Sequence, residues 1–441
     1  MKASRLLDLP TGLLVLFALP AAAQLPYNPT RAFLSQHGRS LVYVFQPSTV
    51  WTSQFQLLVL DLASKLTTKD LSYRTLYPSL PFLDIGVPAA FTPVIDSSGN
   101  ITVYTGNCSL GGTGSSIWRF EPDSHTEIGN GTWKQDKLSA QHMAGSKELV
   151  GANYLASGIS FSSKVNGGVA DTSIYMFGGM CPSANASQNS WQSAATYSNL
   201  MLALDPISST AQATEYDLGL TANRGPPVAE AGSSITALAP TYTNASDGTQ
   251  TQQENFVLLG GHTKSAFINM SQVALFSLPQ QSWTFLPVEQ PLQGHTDLTV
   301  RDTAIAVDPR SGHTAVLTPD GSKIVVFGGW VGDTNTPASP QLAVLNIGAG
   351  YGGNGDWTWS IPKPSGFGPA TGSGVYGHGT VMLPGGVMMI VGGYSMSGSS
   401  SVRRRATQIR NTQNLFYNVT SNTWLSGYTP PDSVLTSPAT A

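Results

Sequence analysis

The sequence predicts an all-β fold built from copies of one four-stranded antiparallel sheet. Residues 309–330, PRSGHTAVLTPDGSKIVVFGGW, predict a first strand over 311–317, a Pro-Asp-Gly turn, and a second strand over 323–327 that ends at Gly328-Gly329. A third strand over 342–346 and a fourth containing Trp357 and Trp359 follow. Because a lone four-stranded sheet cannot bury both of its faces, copies of this unit are expected to stack against one another.

The chain supplies these copies. An apolar strand followed by a glycine pair recurs at residues 178–179, 260–261, 328–329 and 392–393, a weaker version ends at Thr105-Gly106, and the weakest, 41–45, has no glycine. The last glycines, at 106, 179, 261, 329 and 393, are 73, 82, 68 and 64 residues apart. This spacing exceeds the usual repeat of about 40–50 residues, so the excess is expected in loops.

The third and fourth strands complete the pattern. Third strands are predicted over 56–62, 116–120, 199–204, 272–278, 341–347 and 414–417, and fourth strands carry Trp133, Trp283, Trp357 or Trp359, and Trp424. Glycine pairs suit sharp turns with a closely approaching neighbour, and a Trp suits packing between adjacent sheets.

This pattern resembles the kelch repeat over roughly residues 31–428. The resemblance implies a β-propeller of six four-stranded blades. Seven blades are the alternative, because the first unit lacks Gly-Gly and an N-terminal strand could pair with the last blade. An all-β sandwich with chance glycine pairs is the other fold compatible with the pattern.

Composition limits the classes of partner. Of 441 residues only 11% are charged, with 22 basic and 25 acidic side chains and a formal net charge of -3. No electrostatic footprint for nucleic acid is present.

The two ends of the chain predict a secreted or cell-surface protein. Residues 1–23 combine basic Lys2 and Arg5, an apolar segment and Ala21-Ala22-Ala23, and so predict a signal peptide cleaved before Gln24; an uncleaved anchor helix is the alternative. The propeller is expected over 24–428. Residues 429–441, rich in Thr, Ser and Pro, are expected to form a tail or the start of a stalk, and membrane attachment is expected only through an anchor after residue 441.

Seven N-x-S/T triplets support entry into the secretory pathway. They predict glycosylation at Asn100, Asn107, Asn130, Asn185, Asn244, Asn269 and Asn418. Most of these fall in predicted turns or loops, where a glycan can point into water.

The two cysteines occupy matched places, VYTGNC ending at Cys108 and MFGGMC ending at Cys181. In an oxidising compartment they predict a disulfide between loops of neighbouring units. Two buried free thiols are the alternative.

Long polar inserts indicate where a ligand binds. They span 180–199, 240–254, 262–271, 330–340, 348–356 and 394–413, and four of them follow Gly-Gly, so those four are expected on one face. Arg403-Arg404-Arg405 in the last insert is interpreted as a solvated run, with processing or an acidic partner as the alternative.

The resemblance extends to propellers of the galactose oxidase type, which raises a copper-radical oxidase. That site needs a Cys cross-linked to a Tyr, a second Tyr and two His. The histidines are His37, His125, His142, His262, His295, His313 and His378, and none matches the family's motif. His313 and His378 occupy equivalent first-strand positions and are interpreted as framework residues that bond neighbouring backbone near the axis.

No catalytic residue, metal site or cofactor is predicted. The first hypothesis is therefore a non-catalytic, monomeric extracellular propeller that binds a protein or glycan partner through loops on one face. The alternative is a secreted oxidoreductase or carbohydrate-active enzyme of the galactose oxidase-like kind.

Overall fold

The chain folds almost entirely into β-strands. The computed structural model describes residues 25–35, 40–48, 54–84, 87–123, 129–140, 150–187, 189–210, 212–222, 224–291, 306–397 and 409–435. The predicted signal peptide, His37, His125, His142, His295, Arg403–Arg405 and the last six residues lie outside these ranges.

Six consecutive stretches of the described chain each form a four-stranded antiparallel set, here called units 1 to 6. Unit 1 comprises β1 Arg31–Leu34, β2 Leu41–Pro47, β3 Phe55–Asp61 and β5 Arg74–Tyr77, with β4 Leu66–Thr67 beside them. Unit 2 comprises β6 Ala90–Ile95, β7 Ile101–Gly106, β8 Ser115–Pro122 and β9 Gly131–Ser139. Unit 3 comprises β10 Ser157–Ser162, β11 Thr172–Phe177, β14 Met201–Ser209 and β15 Thr214–Leu220, with the small pair β12 Met180–Cys181 and β13 Thr196–Tyr197.

Units 4 to 6 follow the same plan. Unit 4 comprises β16 Ser234–Ala237, β18 Gln250–Leu259, β19 Gln272–Leu278 and β20 Ser282–Pro287, with β17 Thr241–Asn244 paired to β18. Unit 5 comprises β21 Thr314–Leu317, β22 Lys323–Phe327, β23 Leu342–Asn346 and β24 Thr358–Ser360. Unit 6 comprises β27 Gly379–Leu383, β28 Val387–Val391, β31 Leu415–Asn418 and β32 Thr423–Leu425, and around it lie β25 Ser365–Gly366, β26 Ser373–Tyr376, β29 Tyr394–Ser397, β30 Ile409–Arg410 and β33 Gly427–Tyr428. The helices are a 3-10 helix over Cys108–Gly114, a 3-10 turn over Val169–Asp171 and α1 Asp432–Leu435.

The first strands of the units surround one axis. Each contacts the first strand of the next unit along the series β6, β10, β16, β21, β27 and β1. At their starting ends, backbone hydrogen bonds run from Gly232 N to Leu155 O, from Gly312 N to Gly232 O, from Gly377 N to Gly312 O and from Thr30 N to Gly377 O, at 2.8–2.9 Å. The result is a propeller-like arrangement.

Backbone conformation explains why glycine recurs in this ring. Gly232, Gly312 and Gly377 have φ of 71°, 67° and 60°. Leu155 takes the same left-handed conformation, with φ of 58°. Because leucine has a Cβ, this conformation costs about 1 kcal/mol of conformational free energy there.

The connections between units run along the outer edge of the next unit. The last residues of β9, Lys137–Ser139, pair in parallel with β15, and β25 pairs in parallel with β32. Single bridges repeat the arrangement between Arg224 and Ser282 and between Glu289 and Thr358. The ring closes where β33 pairs with β4.

The predicted repeat elements are largely confirmed. The strands over 323–327 and 342–346 have the predicted bounds, and Trp133, Trp283, Trp359 and Trp424 lie in fourth strands. Trp424 packs with Phe327 and Leu342 between units 5 and 6, and the Trp359 indole N–H donates to Met270 O at 2.6 Å. Each Trp therefore covers apolar surface between sheets, as expected.

Three details differ from the sequence expectation. The first strand of unit 5 begins at Thr314 rather than 311, because Ser311 already bridges Trp330. Residues 240–254 are not a loop but form β17 and the first half of β18, because their Thr and Gln side chains tolerate an exposed hairpin. At the tail, α1 forms and Val434 is buried on unit 6.

Within the described residues no helix is both long and apolar enough to cross a membrane.

Candidate functional site: the loop face and the axis

The Gly-Gly ends of the second strands define one face, here called the loop face. The loops after residues 106, 179, 261, 329 and 393 and the connections that lead into the first strands all meet there. The opposite face, with the turns between first and second and between third and fourth strands, is called the turn face. Four of the six predicted inserts start at the loop face, while 240–254 and 348–356 lie at the turn face.

The disulfide predicted from the matched cysteines is present. Cys108 opens the 3-10 helix of unit 2, Cys181 lies in β12 of unit 3, and their Cα atoms are 5.6 Å apart. The bond joins two neighbouring loops of the loop face. Because it closes 73 residues of chain, it restricts the unfolded state and stabilises the fold by about 4 kcal/mol in the chain-entropy model.

Aromatic rings fill the centre of the loop face. We call this cluster the aromatic plug; its members are Tyr27, Trp191, His262, Phe267, Trp330, Tyr376 and Tyr394. Trp330 is fully buried, its ring lies 5.1 Å from those of His262 and Phe267, and its indole N–H donates to the Tyr27 hydroxyl at 3.4 Å. Tyr27 packs edge-on against Tyr376 at 5.2 Å. The plug is a packed core rather than an open pocket.

The aromatic plug was not predicted from the sequence, although the repeat positions indicate it. The residue directly after each glycine pair is Met180, His262, Trp330 or Tyr394, and all four are buried in this centre. Equivalent repeat positions point to the same place around an axis, so four large side chains at one register position predict a shared cluster.

The three described histidines bind framework hydroxyl groups. His313 Nε2 lies 2.9 Å from Ser234 Oγ, His378 Nε2 lies 2.7 Å from Thr314 Oγ1, and His262 Nδ1 lies 2.8 Å from Ser311 Oγ. The expectation that these rings bond neighbouring backbone is corrected for His313, which reaches a side chain of the preceding unit. His378 bonds Thr314 of the preceding unit and also interacts with the backbone of Phe327. Burial lowers the pKa of all three to about 3, so these rings are neutral at physiological pH.

Glu230 is the buried carboxyl group of the loop face. It precedes the first strand of unit 4 and is 2% exposed. Burial raises its pKa to about 8, although a hydrogen bond with Ser233 partly offsets this. The carboxyl group is therefore largely protonated at neutral pH and adds little negative charge to the loop face.

A groove lies between units 5 and 6 at the loop face. Its volume is about 430 Å³, and its walls are the loop over residues 337–342 and the connection over 369–373, with Phe327 and Trp424 at its base. Phe367, two residues before the second wall, is 99% exposed. An aromatic side chain left entirely in water beside an apolar groove is unusual for a surface.

A second cavity lies on the axis. It has a volume of about 180 Å³ and is lined by the first strands, including Arg31, Ser157, Thr314 and Thr380. Above it a void of about 20 Å³ lies between Tyr27 and the glycine ring, which is room for about one water molecule.

The predicted glycosylation sites differ in access. Asn107, Asn185, Asn244 and Asn269 are exposed, and Asn100, Asn130 and Asn418 are partly buried. The Asn100 Nδ2 donates to Asp96 at 3.3 Å, so attachment there requires that bond to break. Glycosylation itself stays a prediction.

Within the described ranges no three His, Cys, Asp or Glu side chains cluster in a way that could hold a metal ion. Both cysteines are used in the disulfide.

Comparison with known proteins gives a distant likeness. No protein-family model and no curated protein matches the sequence. Among solved structures, YjhT is similar with 12% identity and a TM-score of 0.48, over 92% of this chain and 98% of that one. A protein of unknown function from Dyadobacter fermentans is similar with 12% identity and a TM-score of 0.40, over 87% and 92% of the two chains.

Proposed function

We propose that this protein is a kelch-type propeller of six blades, units 1 to 6, which acts outside the cell as a non-catalytic binding module. Support for the fold comes from the six consecutive strand sets, the four glycine pairs and the tryptophans between sheets. Support for the location comes from the signal-like N-terminus, the N-x-S/T triplets and the disulfide.

The groove between units 5 and 6 is the observation that carries the binding role. Phe327 and Trp424 give it an apolar base, while the Ser373 hydroxyl at its wall donates to Ala370 O at 2.6 Å and still has a lone pair that can accept from a ligand. Recognition sites for a protein segment or a glycan combine such apolar surface with few polar groups. Phe367, fully exposed nearby, gives a partner an aromatic anchor.

The loops that form this groove are held by the scaffold. Gln341 Nε2 donates to Gly329 O at 3.2 Å and Ala338 O at 2.8 Å, and its Oε1 accepts from Val375 N at 3.1 Å. This side chain ties the loop of unit 5 to the strand that leads into unit 6. A fixed groove costs less conformational entropy on binding than a mobile one.

Other exposed apolar side chains lie on the same face. Leu110 at the disulfide-bonded 3-10 helix, Val87 and Val228 before first strands, and Ile409 in unit 6 are 55–68% exposed. We propose that they extend the contact surface around the groove.

The test is a binding screen with a matched control. Secreted protein is applied to a glycan microarray and to displayed extracellular proteins, and hits are repeated with Phe367→Ser combined with Thr371→Arg, both at exposed positions by the groove. The control is Ile207→Ser combined with Tyr242→Ser, which removes exposed apolar groups at the turn face. We expect at least tenfold weaker binding for the groove variant and unchanged binding for the control.

Two outcomes contradict the proposal. One is loss of binding in the turn-face control while the groove variant still binds. The other is stoichiometric copper in the secreted protein together with peroxide production from a sugar or aldehyde, which would favour the oxidase alternative.

A further inference from the structure

The axial cavity has polar walls for a topological reason. Each of the strands β1, β6, β10, β16, β21 and β27 lies at the end of its sheet, so one edge of its backbone makes no sheet pairing. Those edges face the axis, where backbone N–H and C=O groups need partners. Hydroxyl groups of Thr92, Ser157 and Thr380 add to the polar lining.

Arg31 is the charged group of this cavity. Its guanidinium makes one hydrogen bond, from Nη2 to Ala156 O at 3.3 Å, although a guanidinium carries five N–H donors. Within the described chain no Asp or Glu pairs with it, and none lines the cavity. Burial lowers the pKa of Arg31 to about 10, so it stays cationic at neutral pH.

A fully buried arginine, Arg310, shows what a structural role requires. Arg310 is fully buried and donates to three carbonyls, Asp308 O at 3.1 Å, Gly328 O at 3.2 Å and Ser339 O at 3.3 Å. Its donors are used by the framework of unit 5. Arg31 is not used in this way, and its side chain lines both the axial cavity and the small void above it.

The neighbours of Arg31 leave a single net positive charge. His378 also lines the cavity, but it is neutral and its Nε2 is bonded to Thr314. Tyr27 lies above, in the aromatic plug, and burial raises the pKa of its hydroxyl, so it is neutral too. A recess whose described charged side chain is a single cation attracts an anion of matching charge.

We propose that the axial cavity is a binding site for a small monocarboxylate, held by the Arg31 guanidinium through paired N–H···O bonds. The planar fork of arginine matches a carboxylate, and one negative charge balances one guanidinium. A phosphate would bring about 1.5 to 2 negative charges and leave an excess of negative charge beside a single guanidinium. The volume of about 180 Å³ suits a ligand of a few heavy atoms, with the hydroxyl groups and strand edges bonding its polar substituents.

The first measurement uses glycolate as the probe, with acetate and inorganic phosphate beside it, in buffer whose other anion is chloride. We expect glycolate to raise the melting temperature of the secreted protein with increasing concentration and to give saturable heat in calorimetry. Arg31→Gln should weaken this binding at least tenfold, and Arg31→Lys should fall between, because lysine keeps the charge but lacks the fork. Arg224→Gln, which removes an exposed arginine away from the cavity, is the control and should bind glycolate normally.

A chemical measurement on the unmodified protein covers the case in which Arg31→Gln does not fold. Butanedione labels accessible arginines, and mass spectrometry reports the rate at each site. We expect glycolate to slow the labelling of Arg31 and not that of exposed Arg224 or Arg410.

Three results would overturn the proposal. They are no thermal shift, heat or protection with either carboxylate; tighter binding of phosphate than of glycolate; or unchanged glycolate binding by a folded Arg31→Gln variant. The cavity is separate from the groove between units 5 and 6, so either proposal can fail without the other.

Discussion

Units 2 and 3 and units 4 to 6 hold their sheets together by different chemistry. Between units 2 and 3 the contacts are the Cys108–Cys181 disulfide and the hydrogen bond that Thr214 N of unit 3 donates to the Asp136 carboxylate of unit 2 at 2.8 Å. Within unit 2, Asp136 is also paired with Arg119 at 2.9 Å. Between units 4, 5 and 6 they are buried histidines on hydroxyl groups, glycine pairs and tryptophans.

The difference in these contacts corresponds to how completely each unit carries the glycine pair and the Trp of the repeat. Unit 2 has Thr105-Gly106 in place of a glycine pair, and β15 of unit 3 has no Trp. Where these framework residues are missing, a disulfide and a backbone hydrogen bond to a buried, ion-paired carboxylate join neighbouring sheets instead. One geometry of stacked sheets is therefore reached by two sets of interactions, and different conditions should disturb the two regions.

The largest expected effect is acid sensitivity of units 4 to 6. His262, His313 and His378 have folded-state pKa values of about 3, below the usual 6.5, so the unfolded chain binds more protons between these values and stability falls as the pH drops below 6.5. At pH 5 each ring costs roughly 2 kcal/mol, or about 6 kcal/mol together. The carboxyl groups of Glu230 and Glu254 oppose this loss, because burial raises their pKa to about 8 and about 7 and their folded forms then bind more protons as the pH falls. Urea unfolding at pH 7 and pH 5 measures this.

The variant His378→Gln is the control for the acid effect. The step from pH 7 to pH 5 should cost the variant roughly 2 kcal/mol less than the unmodified protein, because one of three rings no longer titrates. The same pH dependence in both proteins would show that the His378 ring is not kept neutral by burial.

Loss of the disulfide should rank next. Replacing both cysteines by serine should lower the free energy of unfolding by about 4 kcal/mol, because the 73-residue loop regains its freedom in the unfolded chain. Thermal unfolding with and without a reductant measures the effect. The reductant should not change the melting temperature of the double variant, and no response in the unmodified protein would contradict the prediction.

Breaking the buried ion pair should follow. Asp136→Ala leaves the Arg119 charge in a site where both side chains are almost fully buried, and it removes the acceptor for Thr214 N at 2.8 Å. Losing one partner of a buried pair costs about 3–5 kcal/mol, and we expect the lower end because Arg119 keeps its contact with Glu121.

An exposed pair gives the matched control. Lys164 and Asp171 are 2.8 Å apart at the surface, so Asp171→Ala should leave the denaturation midpoint unchanged. Equal effects from the two substitutions would mean that burial does not set the strength of the Arg119–Asp136 pair.

The sequence predicted those features of the fold that are indicated by residues within a single short segment. Glycine pairs, alternating apolar strands and tryptophans report the conformation of their own segment, so the strands of units 4 to 6 and their order were predicted. The hairpin of β17 and β18 was missed because Thr and Gln fit a loop and an exposed strand equally well.

The sequence by itself determined the β-rich repeat, the strand order and the pairing of Cys108 with Cys181, because each is written in periodic or matched positions. Only the tertiary structure decided which side chains meet at the axis. The sequence does not distinguish the roles of Arg31 and Arg310. In the structure Arg310 bonds three carbonyls, whereas Arg31 lines an open cavity. That distinction depends on chain segments far apart in sequence, which become neighbours only when the ring of units closes.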